Sequence, residues 1–266
     1  MIPNFEVFGK TLSAYVVLAA VGFLVTVFVM YKGAKKVGLD EFHVLFMVLF
    51  SGIGVVLGGH LLYGITNIRQ LISMIENFDQ IKSFDQFLDQ LSYIFGGGVF
   101  YGGMVGAIIV GLIYIKIKKL DKDQYLNFVI IGVPLFNIFG RIGCFCSGCC
   151  FGVEWEHGFT YDCSMIEIAN GVPRFPVQLV ESLLNVVLVC AMWYIYTKTK
   201  HKFKTFDFYL LTYGVCRFLL EYLRGDEYRG IWMSLSTSQW ISIVIVIYAV
   251  IMLCVGFAKD KKQVNA

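Results

Sequence analysis

Apolar residues in this chain run on in blocks of roughly 17–22 residues, with no period of two and few polar interruptions. A block of that length is what a helix needs to cross a hydrocarbon core about 30 Å thick. The pattern predicts helices over 12–31, 43–65, 95–116, 126–140, 177–196, 207–223 and 238–257. The fourth is short and is expected to begin a few residues earlier; the sixth carries charges at its end. The expected fold class is all-α: a polytopic membrane protein of about seven transmembrane helices, built as a single transmembrane domain over 1–266.

Two segments between the blocks have a character of their own. In 66–93, Ile72, Ile75, Phe78, Ile81, Phe84, Phe87, Leu88 and Leu91 recur among polar and acidic residues. This reads as an amphipathic arm, either lying on a leaflet surface or packed as an ordinary helix of a cap. The second segment, 141–175, is a cysteine-rich head. The first block, Leu12 to Met30, is expected to be a retained helix rather than a cleaved leader. It is longer than a leader's apolar region, lacks a basic start and is followed by Lys32, Lys35 and Lys36.

Composition strengthens the membrane reading. Hydrophobic residues make up 58% of the 266 and charged residues only 15%, against about a quarter in soluble domains. The net charge of +3 decides little, and no stretch is basic enough to suggest a nucleic-acid partner. Placement decides more. Fourteen of the 22 Lys and Arg follow the first, third, fifth and last blocks: Lys32, Lys35, Lys36, Lys116, Lys118, Lys119, Lys122, Lys198, Lys200, Lys202, Lys204, Lys259, Lys261 and Lys262. The acids reverse the bias, six on that side and thirteen on the other. Short basic loops stay in the cytoplasm, so the N-terminus and both segments above are expected to be exported and the C-terminus cytoplasmic.

Arg141, Arg217 and Arg224 stand at exported block ends beside apolar residues. Arginine grips phosphate or carboxylate in a bidentate fork, and charge at membrane depth tends to mark function. Each has a structural alternative. Arg141 suits a headgroup anchor. Arg217 and Arg224 are spaced to pair with Glu221 on a helix. Gln178 and Glu181 suit interhelical hydrogen bonds, Tyr15 an interfacial anchor, and His60 a satisfied polar side chain among glycines. Five of the eight cysteines, Cys144, Cys146, Cys149, Cys150 and Cys163, fall in the head. A disulfide from Cys163 to one of the other four is the default in an oxidising compartment. A thiol redox pair, a metal site and simple packing are the other readings, but the spacing matches no common zinc pattern. Cys190, Cys216 and Cys254 are expected to be core residues.

Several segments, in order, resemble the signature elements of one known family. Gly140-Arg141-Ile142-Gly143, then Phe145 and Gly148, is similar to that family's Gly-Arg-x-Gly-Asn-Phe-x-Asn-Gly-Glu. Phe175-Pro176-Val177-Gln178-Leu179-Val180-Glu181 resembles His-Pro-Ser-Gln-Leu-Tyr-Glu. Tyr213-Gly214-Val215-Cys216-Arg217-Phe218-Leu219-Leu220-Glu221, followed by Arg224, resembles Tyr-Gly-x-Phe-Arg-Phe-x-Val-Glu-Phe-x-Arg. Phe100-Tyr101-Gly102-Gly103-Met104 resembles Phe-His-Gly-Gly-Leu, and Leu235-Ser236 with Gln239 resembles Leu-Ser-Met-Gly-Gln. Tyr15 stands seven residues before Gly22, as a tyrosine does in the family's first span. The family so resembled is that of the prolipoprotein diacylglyceryl transferases, and the departures are Tyr101 and Phe175 for histidines, Cys144 and Ser147 for asparagines, and Cys149 for a glutamate, which mark a cysteine-rich branch.

The resemblance implies transfer of diacylglycerol from phosphatidylglycerol to the lipobox cysteine thiol of an exported prolipoprotein, the first step of lipoprotein maturation. The product is a thioether and the leaving group glycerol phosphate. Arg141, Arg217 and Tyr101 would carry catalysis. Tyr15, Gly102, Gly103, Gln178, Glu181, Glu221 and Arg224 would bind substrate. The partners implied are phosphatidylglycerol, the signal peptide of the prolipoprotein and membrane lipid, with neither cofactor nor metal. The place implied is the bacterial inner membrane, with the site near its exported face. The same lipid chemistry on another acceptor, and a thiol-disulfide oxidoreductase using Cys146-Ser147-Gly148-Cys149, are the alternatives.

Overall fold

The computed structural model describes residues 4–7, 10–81, 83–164, 166–199, 201, 204–225 and 230–264. Lys200 and Lys202 of the basic set lie outside these. An antiparallel hairpin of β1 (Asn4–Val7) and β2 (Lys10–Ser13) leads into α1 (Ala14–Val37). Then come α2 (Glu41–Thr66), α3 (Ile68–Glu76), α4 (Phe84–Phe95), α5 (Phe100–Lys118), α6 (Lys122–Val129) and α7 (Gly132–Ser147). Strands β3 (Glu154–Thr160) and β4 (Pro173–Arg174) pair antiparallel before α8 (Val177–Lys198) and α9 (Thr205–Leu220). A short pair, β5 (Ile231–Trp232) and β6 (Leu235–Ser236), precedes α10 (Thr237–Val264).

The molecule is mostly helical, as expected of an all-α polytopic membrane protein. Among the described residues six stretches are long and apolar enough to cross a membrane: α1, α2, α5, the α6–α7 run, α8 and α10. The other expected block, 207–223, is α9 with a 3₁₀ turn at Glu221–Leu223. At 16 residues the helix is about 24 Å long at 1.5 Å per residue. Large apolar side chains such as Leu24, Phe28, Leu61, Leu183 and Val244 point outward, the arrangement hydrocarbon requires and water penalises.

Several boundaries differ from the expectation. α1 continues through Lys32, Lys35 and Lys36 to Val37, because lysine is a good helix former. The head does not begin as a loop. Ile142, Phe145 and the cysteines extend α7 to Ser147, and the helix ends only at Gly148, in the left-handed region at φ 70°. Arg141 is therefore a helical residue. The arm is two helices, since Ser83 caps a new one by accepting from Gln86 N at 3.2 Å. Its Ile72, Ile75, Phe78, Phe84 and Leu88 are exposed. Cys190 and Cys254 are also exposed rather than in the core, because helix faces that meet lipid are as apolar as those that meet protein.

Contacts divide the chain into two compact units, Met1–Val37 with Leu126–Ala266, and Gly38–Tyr125. In the first, α1 packs on α7, α7 on α8, α8 on α9 and α9 on α10. Phe128 is fully buried against the rings of Trp193 and Tyr196. In the second, α2 lies along α5. Gly54 and Gly58 on one helix face Gly102 and Gly106 on the other, so each helix carries a Gly-x-x-x-Gly pair. A methyl group on Gly54 would stand 2.6 Å from the Gly106 carbonyl oxygen, and one on Gly58 would strike that of Gly102. Small residues let helix backbones approach where no hydrophobic force drives them together. Gly58→Val is expected to cost at least the 1–3 kcal/mol or so of an overpacked core, because the obstacle is backbone. Size-exclusion chromatography after graded heating in detergent would show it as a lower melting point than that of Gly98→Val, where a methyl group meets nothing within 4 Å.

Candidate functional site

The first residues of α8 build the centre of the site. Gln178, Glu181, Ser182 and Asn185 recur at helical spacing and are all buried, a polar stripe on one face of an otherwise apolar helix. Such a stripe must find partners, since an unpaired buried polar group is costly. Ser182 Oγ donates to the carbonyl of Ile138 on α7 at 3.1 Å, and Asn185 Nδ2 to the Glu181 carbonyl at 2.7 Å. Gln178 Nε2 donates to the Cys149 carbonyl at 2.8 Å and to the Tyr161 hydroxyl at 3.1 Å.

Glu181 gathers all three arginines. Its Oε2 lies 2.5 Å from Nε of Arg141, an ionic contact out of line for a regular hydrogen bond. Its Oε1 lies 3.5 Å from Nη1 of Arg217 and 3.5 Å from Nη1 of Arg224. Arg217 also holds Glu221, one helical turn on, at 2.7 Å, and donates to Ser238 Oγ on α10 at 3.2 Å. The side chains are 13% (Arg141), 9% (Arg217), 3% (Arg224), 6% (Glu181) and 6% (Glu221) exposed. Three guanidinium groups and two carboxylates thus meet in a nearly dry place, where a charge interaction is stronger than in water. Among the described residues, the two Nη groups of Arg141 have no acceptor. Gln178 Oε1 and Asn185 Oδ1 are buried with no donor. Unsatisfied buried groups are rare in native proteins, and each calls for an explanation.

The chain reaches this geometry through three connections. Gly143 has no side chain where a Cβ would stand 3.1 Å from Tyr15 Cα, so α1 crosses α7 beside the arginine. Tyr15 N donates to Ser147 Oγ at 3.2 Å. Arg224 follows the 3₁₀ turn in extended backbone and bridges to Gly152, which ties the end of α9 to the head. Arg174 anchors the same region: its Nη2 donates to the Ile168 carbonyl at 2.5 Å and its guanidinium lies 4.3 Å from the Phe151 ring centre.

The structure thus brings together Arg141, Arg217, Arg224, Glu181 and Glu221, with Gln178 and Tyr15 alongside. Tyr101, Gly102 and Gly103 open α5 in the other unit, where Gly102 serves the approach of α2. His60 is satisfied within that unit too, its Nδ1 facing the carbonyls of Phe95 and Gly97 at 2.6 and 2.9 Å. Ser238 was not expected at the site. Only its position near the start of a helix hinted at a role. Ser236 and Gln239 form a capping box, with Ser236 N donating to Gln239 Oε1 at 2.9 Å and Gln239 N to Ser236 Oγ at 3.2 Å. The Leu-Ser element therefore starts α10 and fixes Ser238 in front of Arg217.

All eight cysteines are free thiols. Those that gather are Cys144, Cys149 and Cys150, with sulfurs within 4.8 Å of one another. The spacing Cys146-x-x-Cys149 is thus not the grouping the fold selects; Cys146 lines a small hollow with the exposed Cys163. Hydrogen bonds from the Cys144 and Cys149 thiols hold the Cys150 thiol well below the usual range, and the charges of Arg224 and Arg141 act the same way.

Known proteins match this chain over nearly its whole length. The family model described as prolipoprotein diacylglyceryl transferase matches residues 4–255. The phosphatidylglycerol–prolipoprotein diacylglyceryl transferase of Clostridium tetani is 34% identical over 248 residues, covering 92% of this chain and 94% of the relative. The Clostridium perfringens protein named phosphatidylglycerol–prolipoprotein diacylglyceryl transferase 2 is 31% identical over 265 residues, 97% and 96% of the two chains. The Clostridioides difficile protein of the same first name is 27% identical over 263 residues, 98% and 97%.

Proposed function

We infer that this chain, which belongs to the prolipoprotein diacylglyceryl transferase family, moves the diacylglyceryl group of phosphatidylglycerol onto the thiol of an exported prolipoprotein. The observation that carries the reading is the convergence of Arg141, Arg217 and Arg224 on Glu181. Three guanidinium groups at one place suit the negative charge of a phosphodiester. The open Nη groups of Arg141 suit its phosphoryl oxygens, and the undonated Gln178 Oε1 suits a hydroxyl of the glycerol headgroup.

In the proposed step the acceptor thiolate attacks the diacylglyceryl carbon bonded to the phosphate oxygen. A carbon–sulfur bond forms, the carbon–oxygen bond breaks, and its electrons leave with glycerol phosphate. The phosphate then gains a second negative charge. Preorganised cations stabilise charge that develops in the transition state most strongly where water is scarce. The thiol must first lose its proton, because thiolate is the nucleophile. By the resemblance Tyr101 donates a hydrogen bond to the lipid, and the arginine field favours the thiolate. Tyr15, Gln178, Glu181, Glu221 and Arg224 form the rest of the binding surface in this reading, and Gly102 and Gly103 are assigned to substrate binding by the resemblance alone. The lysine distribution supports an exported N-terminus, a cytoplasmic C-terminus and a site near the exported face of a bacterial inner membrane. There the arm would lie on the outer leaflet, as its exposed apolar residues suit.

Expression in cells depleted of their own transferase tests the whole reading. A reporter lipoprotein should regain a thioether-linked diacylglyceryl group, seen by mass spectrometry of its N-terminal peptide. Failure to lipidate despite normal membrane levels of the protein would refute it.

A further inference from the structure

Cys144, Cys149 and Cys150 take no part in holding the phosphodiester, yet the fold prepares their arrangement. Cys144 projects from the last turn of α7, and the other two come from the turn behind it. That turn is held tightly. Gly148 and Cys150 are both left-handed, at φ 70° and 55°, and a non-glycine residue adopts that conformation only when its surroundings impose it. Cys149 N donates to the Cys144 carbonyl at 3.1 Å, the Cys149 thiol lies 3.7 Å from the same oxygen, and buried Gln178 fixes the Cys149 carbonyl from α8. Three sulfurs are thereby held within 4.8 Å of one another by a frame that does not depend on a bond between them.

We propose that Cys144, Cys149 and Cys150 form a three-thiolate site for a soft, thiophilic cation of the Zn²⁺ or Cu⁺ class. Sulfurs bound to one such ion at about 2.3 Å stand roughly 3.8–4.0 Å apart, so closing from the present arrangement needs only small side-chain rotations. Thiolates select these ions over hard cations such as Mg²⁺ or Ca²⁺. Binding sets three thiolates on one ion, and each sulfur that is still protonated gives up its proton as its sulfur–metal bond forms. The product carries a net charge of −1 with a divalent ion or −2 with a monovalent one. The guanidinium groups of Arg224 and Arg141, whose charges reach Cys150, would offset it. None of the three ligands is a phosphate-holding group, and the site does not require the transfer reaction.

The test uses the full-length protein, purified in detergent without oxygen and loaded with Zn²⁺ alone or Cu⁺ alone. After dialysis, elemental mass spectrometry should find about one ion per chain, and three thiols should resist a thiol reagent until a chelator is added. Co²⁺ in place of Zn²⁺ should give a sulfur-to-metal charge-transfer band. Cys150→Ser and Cys144→Ser should each weaken retention at least tenfold, whereas Cys163→Ser should not change it. Cys150 is only half-buried, so its variant tests the site even if Cys144→Ser fails to fold. Retention that survives Cys150→Ser overturns the proposal. So does the absence of a retained ion from wild type, or a disulfide within the trio in anaerobically purified protein.

Discussion

Arg141→Gln is expected to lower the turnover of diacylglyceryl transfer by about 10²–10³-fold, the usual loss when one preorganised charge donor is removed from a transition state. The protein should still reach the membrane at normal levels. Glu181 would keep Arg217 and Arg224 within 3.5 Å, so no carboxylate is stranded by the change. Arg141→Lys should rescue little, because an ammonium replaces a planar fork with a point charge. Transfer assays with phosphatidylglycerol and a prolipoprotein peptide would separate kcat from KM. A loss confined to KM would mean that Arg141 binds substrate and transition state equally, contrary to the role given to it here.

Glu181→Gln should act on the fold first. The carboxylate touches all three arginines, and removing one partner of a buried ion pair costs about 3–5 kcal/mol, since the other charge stays buried. In this variant each of the three arginines loses its contact with the Glu181 carboxylate, while Glu221 still holds Arg217. Thermal unfolding in detergent should show a melting point well below those of both wild type and Arg141→Gln. Equal melting points for the two variants would mean that the hub is hydrated enough to be dispensable to stability. Activity should be lost as well, because Arg141 loses the contact that aims it.

The two variants separate what a cluster of opposite charges does in one site. Arg141 hangs on the edge of the hub with its Nη groups open, so its loss falls on the chemistry. Glu181 sits at the centre, so its loss falls on the structure that positions the chemistry. Transfer and metal retention separate in the same manner: Cys150→Ser tests the thiol trio without removing a guanidinium group.

Helices were legible in the sequence because lipid demands long apolar runs, and a run of that length admits few other structures. The arginines and acids of the hub were legible for a related reason: charge next to such runs is costly and stands out. Their mutual arrangement was not legible. Arg217 and Glu221 share a helix, and their pairing follows from a spacing of four. Arg141, Glu181 and Arg224 are separated by about forty residues each, and only the packing of α7 on α8 and the strand-like return at Gly152 bring them together. Helix ends were misjudged for a local reason: Ile142 and Phe145 are as apolar as the span they extend, and Gly148 rather than a polar residue marks the stop.

By itself, then, the sequence determined the solvent and the inventory. Unbroken apolar blocks require a membrane, the lysines imply a direction, and the motifs name the residues proposed for the chemistry. Tertiary structure decided which of those residues act on one another. It placed three arginines on one carboxylate, left the Nη groups of Arg141 open, and joined Cys149 to Cys144 and Cys150 rather than to Cys146. The physical reason is that periodicity is a property of a single helix, whereas the meeting of charges or thiols from different elements depends on how those elements pack.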